Sequence, residues 1–371
     1  MKPLSGIRIV EFDGLGPVTF AGMVLADLGA EIIRLTRAAS AGAAVFDQVG
    51  GEVLHRGRVA VPVDLKSPPD LARVRELATG AHAIIEGFRP GVMERLGLGP
   101  ADLHALNPGL VYGRVTGWGQ TGPMSGDVGH DINYLALSGA LHALGEPDRP
   151  PRPPLNMLGD YGGGAMMLVT GVLAALIEAR TTGHGRVVDA AMTDGSALLM
   201  SLFHAFRPLG LWSDTRGTNL LDGGAPFYRC YRCKDGRFVA VGALEPRFYA
   251  ALLSGLGLSN DAAPQFPIEG WPSVQARFED VFATRDRDDW ALHFAGTEAC
   301  VTPVLDMSEA PLHPHNQARG TFLAGPPTQP SPAPRFAVAN PPAKGRIADT
   351  HHSPPSGWSV FVGPHQSDTG V

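Results

Sequence analysis

The chain of 371 residues carries 30 Lys and Arg against 36 Asp and Glu, a formal charge of −6, with 44% hydrophobic and 18% charged residues. That balance excludes a charge-rich disordered chain and a basic nucleic-acid surface, and the length supports a sizeable core in about two or three domains. Three cysteines are too few for a disulfide framework, and the 47 Gly and 33 Pro point to many tight turns and close backbone approaches, or to unstructured stretches.

In chain order, apolar runs at Ile7–Phe12, Glu31–Thr36, Val59–Val63, Ala83–Phe88 and Leu110–Val115 alternate with helix-length segments. One helix is predicted over Pro17–Leu28 with Gly29 as its stop, and another opens at Ser67-Pro68-Pro69-Asp70 and ends at Gly80. This βαβ rhythm predicts an α/β fold with a doubly wound, Rossmann-like parallel sheet, whose ligands bind at the carboxyl ends of the strands. Gly162–Arg180 predicts a further long helix and Val187–Met192 a further buried strand, completing a large domain over residues 1–193. Residues 194–222 read as a helical connector. From 223 to 325 a smaller α+β domain is expected, with a hairpin over Phe227–Cys233 and Phe238–Gly242 followed by helices. Residues 326–371 form a Pro-rich linker and tail.

The apolar stretch Gly162–Ile177 is short of the ~20 residues needed to span a bilayer, so a buried helix and no membrane association are expected. The N-terminus enters a strand at once, leaving no room for a signal peptide, and the C-terminus carries neither a peroxisomal tripeptide nor a prenylation box; a cytoplasmic location is expected. Cys230 and Cys233 form a C-x-x-C followed by the turn Lys234-Asp235-Gly236. Zinc would need another pair, so the thiols read as incidental and no metal site is expected.

After the first strand, Gly14-Leu15-Gly16-Pro17-Val18-Thr19 lacks the third glycine of a dinucleotide fingerprint, and Arg34 and Arg37 stand where a ribose-binding acid belongs. The turn still offers helix N-terminal amides to an anion. Arg37, Arg56, Arg58, Arg89 and Arg95 near strand ends suggest a ligand with several phosphates, although each taken alone is more often a solvated surface charge.

Three stretches combine ionisable groups with glycine or proline. In Gly129-His130-Asp131-Ile132-Asn133-Tyr134, His130 suits proton transfer near neutral pH or a structural role, while Asp131 reads as the N-cap of the helix it opens. In Gly159-Asp160-Tyr161-Gly162-Gly163-Gly164, capping explains Asp160 but not three glycines, each costing a helix about 1 kcal/mol relative to Ala. Bare amides at a helix N-terminus are what a developing oxyanion requires, and a carboxylate beside them could abstract an α-proton or attack a carbonyl. The helix dipole would lower the pKa of Asp160, whereas a base benefits from a raised one. In Gly242-Ala243-Leu244-Glu245-Pro246, Glu245 reads as an acid complementing the start of a helix.

Together with Arg114–Pro123, Leu221–Tyr228 and the opening Pro3–Glu11, these motifs resemble the α-methylacyl-CoA racemases within the family III CoA-transferase (CaiB/BaiF-like) superfamily, over roughly residues 3 to 325. The resemblance implies racemisation of 2-methylacyl-CoA thioesters in lipid metabolism, by 1,1-proton transfer through an enolate and without a cofactor, coenzyme A being part of the substrate. It implies His130 and Asp160 as bases on opposite faces of Cα and Glu245 as the partner of the His130 imidazole. The amides of Gly162, Gly163 and Gly164 would hold the enolate. Gly16, Pro17, Arg37, Phe88, Arg89 and Arg95 would bind coenzyme A. An interlocked homodimer is also implied, an arrangement that lets Glu245 and His130 come from different subunits. The alternative within the superfamily is a CoA-transferase with Asp160 as covalent nucleophile. Such enzymes typically carry a flexible glycine-rich loop near the second domain, where this sequence has only Gly223-Gly224.

Overall fold

A computed structural model describes residues 2–37 and 51–337; the last part of the expected tail, from 338 onward, lies outside the described residues. The apolar runs form the strands β1 (Arg8–Phe12), β2 (Glu31–Arg37), β3 (Arg58–Val63), β4 (Ala83–Glu86), β5 (Val111–Thr116) and β6 (Val187–Ala191) of one sheet, in the order β3-β2-β1-β4-β5-β6. The pairs β2–β3, β1–β2, β1–β4 and β4–β5 all run parallel, as the βαβ rhythm predicts. Helices α1 (Pro17–Asp27), α2 (Gly51–Leu54), α3 (Pro68–Gly80), α4 (Val92–Arg95) and α5 (Pro100–Leu106) lie in the connections. Strand order reverses at β1, so the carboxyl edge between β1 and β4 is the position at which a doubly wound sheet accepts a ligand.

The chain divides into two compact units. Among the described residues, the first comprises the segments up to Arg114, from Val172 to Val188 and from 332 to 337; the second comprises Val115–Gly171 and Asp189–Ser331. One core of the first unit packs Val10, Phe12, Ile33, Ile84 and Tyr112 of the sheet against Val74 and Leu77 of α3 and Leu103 of α5. Near-complete apolar burial of strands is what a parallel sheet covered on both faces requires.

In the second unit, α6 (Asp131–Ser138) is followed by a nine-residue π-helix, Met157–Ala165, that runs directly into α7 (Met166–Thr182). The helix expected to start at Gly162 therefore starts five residues earlier. The continuous helical run Met157–Thr182 has 26 residues and contains an 18-residue window of mean hydropathy 1.6, so it is longer than the apolar stretch read from the sequence and is long and apolar enough to cross a membrane by length and composition. Leu168, Val169, Val172, Ala175 and Leu176 are nonetheless buried within the protein. Beyond it come α8 (Met192–Leu199) and α9 (Ser201–Phe206).

The hairpin forms as β7 (Tyr228–Arg232) and β8 (Phe238–Gly242), with β9 (Val301–Pro303) antiparallel to β8. Helices α10 (Pro246–Leu256), α11 (Trp271–Phe282) and α12 (Arg287–Phe294) contribute to its aromatic core, built from Phe227, Tyr231, Tyr249, Trp271, Phe278 and Trp290. Cys230 and Cys233 are free thiols.

In the first unit, a buried ion pair ties β1 to β3. Arg58 Nη1 donates to both Glu11 oxygens, at 2.5 and 2.6 Å, and both side chains are fully buried. Burial pushes the Glu11 carboxyl up to about 7, with Arg58 opposing the shift. A Cβ on Gly22 of α1 would lie 2.0 Å from Glu11 Oε2, so the pair exists only because this helix position lacks a side chain. Gly22→Ala is accordingly predicted to destabilise by about 1–3 kcal/mol in urea unfolding, although Ala is the better helix former. A stabilised variant would show that the pair tolerates displacement.

Candidate active site

The Gly129–Tyr134 motif folds around the start of α6, and nearly every residue has an assignable contact. His130 is the N-cap; its own amide donates to Asn133 Oδ1 at 3.0 Å, and its carbonyl accepts from the Asn133 amide at 2.8 Å. Tyr134 is buried, its hydroxyl donates to the Gly129 carbonyl, and its ring meets Trp118 edge-on at 4.8 Å. A Cβ on Gly129 would come within 2.8 Å of that tyrosine ring. The backbone of His130 is thus fixed while its imidazole remains exposed.

Asp131 corrects the sequence reading. It is the first residue of α6 rather than its cap, and its buried carboxylate serves another helix. Oδ2 accepts the Asp160 amide at 2.7 Å, and the Gly159 amide also donates to this carboxylate. These are two of the amides that the start of the π-helix leaves without intrahelical partners. A Cβ on Gly159 would stand 2.5 Å from Oδ2, so the glycine is what lets the carboxylate approach. The sequence signal was there in the Gly159-Asp160 pair, but nothing in it named the acceptor.

Asp160 is half-buried, and Asn156 Nδ2 donates to its Oδ2 at 3.2 Å. Its pKa is raised, first by burial and further by the negative charge of Asp131, against the lowering effects of Asn156 and His130. Burial also raises that of Asp131. The tension between helix dipole and proton affinity is therefore resolved by burial within the chain itself. His130 and Asp160 are within electrostatic reach of each other, from the starts of two neighbouring helices.

The glycines after Asp160 stand elsewhere than the sequence reading required. Gly162, Gly163 and Gly164 lie inside the π-helix, where amides bond along the helix, and not at its N-terminus. Gly163 is a packing position: a Cβ there would come 2.7 Å from Ser196 Oγ and 2.8 Å from the Ser196 amide of α8. Among the described residues the amides without a hydrogen bond at the start of α6 are those of Asp131 and Ile132.

Glu245 is the exposed N-cap of α10 and forms no ion pair with His130 among the described residues of this chain. In the Leu221–Tyr228 motif, Asp222 accepts from the amides of Gly217, Asn219 and Gly224 and from Asn219 Nδ2. The Gly223-Gly224 loop is thereby pinned. An apolar cavity of about 330 Å³ is lined by Leu158 of the π-helix, Leu199 of α8, and Met200, Phe203, Trp212 and Leu221.

In the first unit, the coenzyme A candidates gather at the carboxyl edge of the sheet. Gly16 and Pro17 open α1 after β1, with Gly16 at a φ of 71° that favours glycine; Arg37 ends β2; Phe88 and Arg89 follow β4; and Arg95 ends α4. Arg37, Arg89 and Arg95 are exposed and enter no ion pair among the described residues. Two other arginines considered from sequence are structural instead: Arg58 holds Glu11, and Arg56 makes a bidentate pair with Asp27, its closest contact 2.6 Å.

The chain belongs to CoA-transferase family III, whose model matches residues 4–358. It is 46% identical over 341 residues to alpha-methylacyl-CoA racemase of Mus musculus, covering 92% of this chain and 87% of the relative. With the human protein of the same name it shares 45% identity over the same length and coverage. In fold, it is similar to a CAIB/BAIF family protein from Brucella suis, with a TM-score of 0.76 over 91% of this chain and 94% of that one, at 23% identity.

A raised carboxyl pKa means that the fold disfavours the ionised form, so the associated loss of stability sets in as pH rises through and above the ordinary aspartate range. Asp160→Asn should therefore raise Tm by about 1–2 °C at pH 7 and lose that advantage progressively as pH falls toward 4 and the parent carboxyl takes up its proton. Calorimetry at the two pH values checks this; a lowered Tm at pH 7 would contradict a strained carboxylate.

Proposed function

We propose that the chain racemises 2-methylacyl-CoA thioesters by moving the Cα proton between His130 and Asp160. The observation that carries the reading is this pair: an imidazole and a carboxyl of raised proton affinity, presented from two helix starts that one carboxylate joins. The identity to the two racemases over most of the chain supports the same chemistry. Abstraction of the thioester α-proton yields an enolate, whose oxygen needs preorganised donors. The unpaired amides of Asp131 and Ile132 are better placed for it than those of Gly162–Gly164. Return of a proton from the other side inverts the centre. The reaction changes no oxidation state and forms no bond to the protein, so it calls for no cofactor. Arg37, Arg89 and Arg95 anchor the phosphates of coenzyme A, and the apolar cavity suits an alkyl or aryl acyl group.

The CoA-transferase alternative would use Asp160 as an ionised nucleophile. The raised pKa of that carboxyl and the pinned Gly223-Gly224 loop both favour the racemase reading. Incubation with a single enantiomer of a 2-methylacyl-CoA in deuterated buffer, without an acceptor acid, should give deuterium at Cα with loss of stereochemical purity. No exchange, but CoA transfer on adding a carboxylic acid, would overturn the proposal.

The reading includes an interlocked homodimer in which Glu245 of one subunit orients His130 of the other. It is supported by the lack of an ion pair between Glu245 and His130 among the described residues of one chain and by the exposed Leu198, Leu199, Leu202, Leu209 and Leu211 on and after α8. Co-expression of His130→Ala with Glu245→Ala checks it. Sites shared between subunits leave one intact site per mixed dimer and restore up to about half of parental activity per mixed dimer. Sites within one chain restore nothing.

A further inference from the structure

The Asp131 carboxylate is more costly than a helix cap needs to be. It is 8% exposed, Oδ2 takes the Gly159 and Asp160 amides, and Oδ1 has no hydrogen-bond partner among the described residues. A neutral Ser or Asn caps a helix start about as well as Asp, without a half-satisfied buried charge. The charge is also set one residue from His130 and directly against the backbone of Asp160. We propose that Asp131 is a positioning residue for the proton transfer: its carboxylate, which accepts the amide of Asp160, seats that residue opposite His130.

Two physical effects act through this contact. Hydrogen bonds from consecutive amides fix the peptide that carries Asp160, so the side chain starts from a defined point relative to His130 on the adjoining residue. The charge also sits at the positive end of the π-helix, where it offsets the dipole that would otherwise favour the ionised carboxylate. The groups facing Asp160 are few. From α6 these are His130, which favours its ionisation, and Asp131, which opposes it. Its own helix adds Asn156. From α8, Gly195 and Ser196 pack on the π-helix without charge, and the Asp194 side chain is exposed.

The proposal rests on the assignment of Asp160 as a base, and its test separates the two. Full-length Asp131→Asn and Asp131→Ala are assayed from each enantiomer of a 2-methylacyl-CoA across pH, beside thermal melts and α-deuterium exchange of the parent. Asn keeps an acceptor for the amides and removes the charge; kcat should stay within about tenfold of the parent. In the direction where Asp160 removes the proton, the acid limb of kcat should move to lower pH. Asp131→Ala should lose about 100-fold in kcat with KM little changed, as expected for a misplaced catalytic group. An unmoved acid limb in Asp131→Asn, with both variants losing activity only in proportion to Tm, overturns the proposal. A parent that exchanges no deuterium overturns the base assignment, and the proposal with it.

Discussion

The site depends on one carboxylate that takes no part in bond breaking. By accepting the amides of Gly159 and Asp160, Asp131 ties the start of the π-helix to the start of α6, and each of those starts carries one member of the proposed acid–base pair. The rest of the local architecture follows from making that contact possible. Gly159 has no side chain because one would meet the carboxylate, and Gly163 has none because α8 packs tightly against the π-helix at Ser196. The backbone of His130 is held by Asn133, and Tyr134 is wedged under Gly129, so rigidity is supplied by groups that leave the imidazole unencumbered.

Burial, more than charge pairing, sets the chemistry of this pair. A carboxyl at a helix start would ordinarily ionise easily, because the dipole favours the anion. Partial burial of Asp160 next to a second carboxylate opposes that, and the result is a group able both to take and to return a proton. In the first unit the same balance is met differently: Glu11 and Glu86 are buried and carry arginine partners that compensate them, so they serve the fold.

Much of the first unit was legible from sequence because a parallel sheet writes itself as continuous apolar runs at helix-length spacing. The motif letters also pointed to the right helix starts. What they could not convey was direction across space. Asp131 looked like a cap for its own helix, since local spacing cannot reveal a partner 29 residues away. Three glycines looked like free amides because a π-helix has no sequence period that separates it from an α-helix with a late start. Arg56 and Arg58 looked like phosphate ligands until Asp27 and Glu11 were found against them. Glu245 forms no ion pair with His130 among the described residues of one chain, a relation that local spacing could not have settled.

The central claim is that His130 and Asp160 address opposite faces of one carbon. Its most direct test is stereospecific exchange by the single variants His130→Ala and Asp160→Asn, each incubated in deuterated buffer with the separate enantiomers of a 2-methylacyl-CoA. Two opposed bases predict reciprocal behaviour: each variant exchanges the α-proton of one enantiomer without inverting it, and the two variants choose opposite enantiomers. Exchange of the same enantiomer by both variants, or of neither enantiomer by either, would contradict the account.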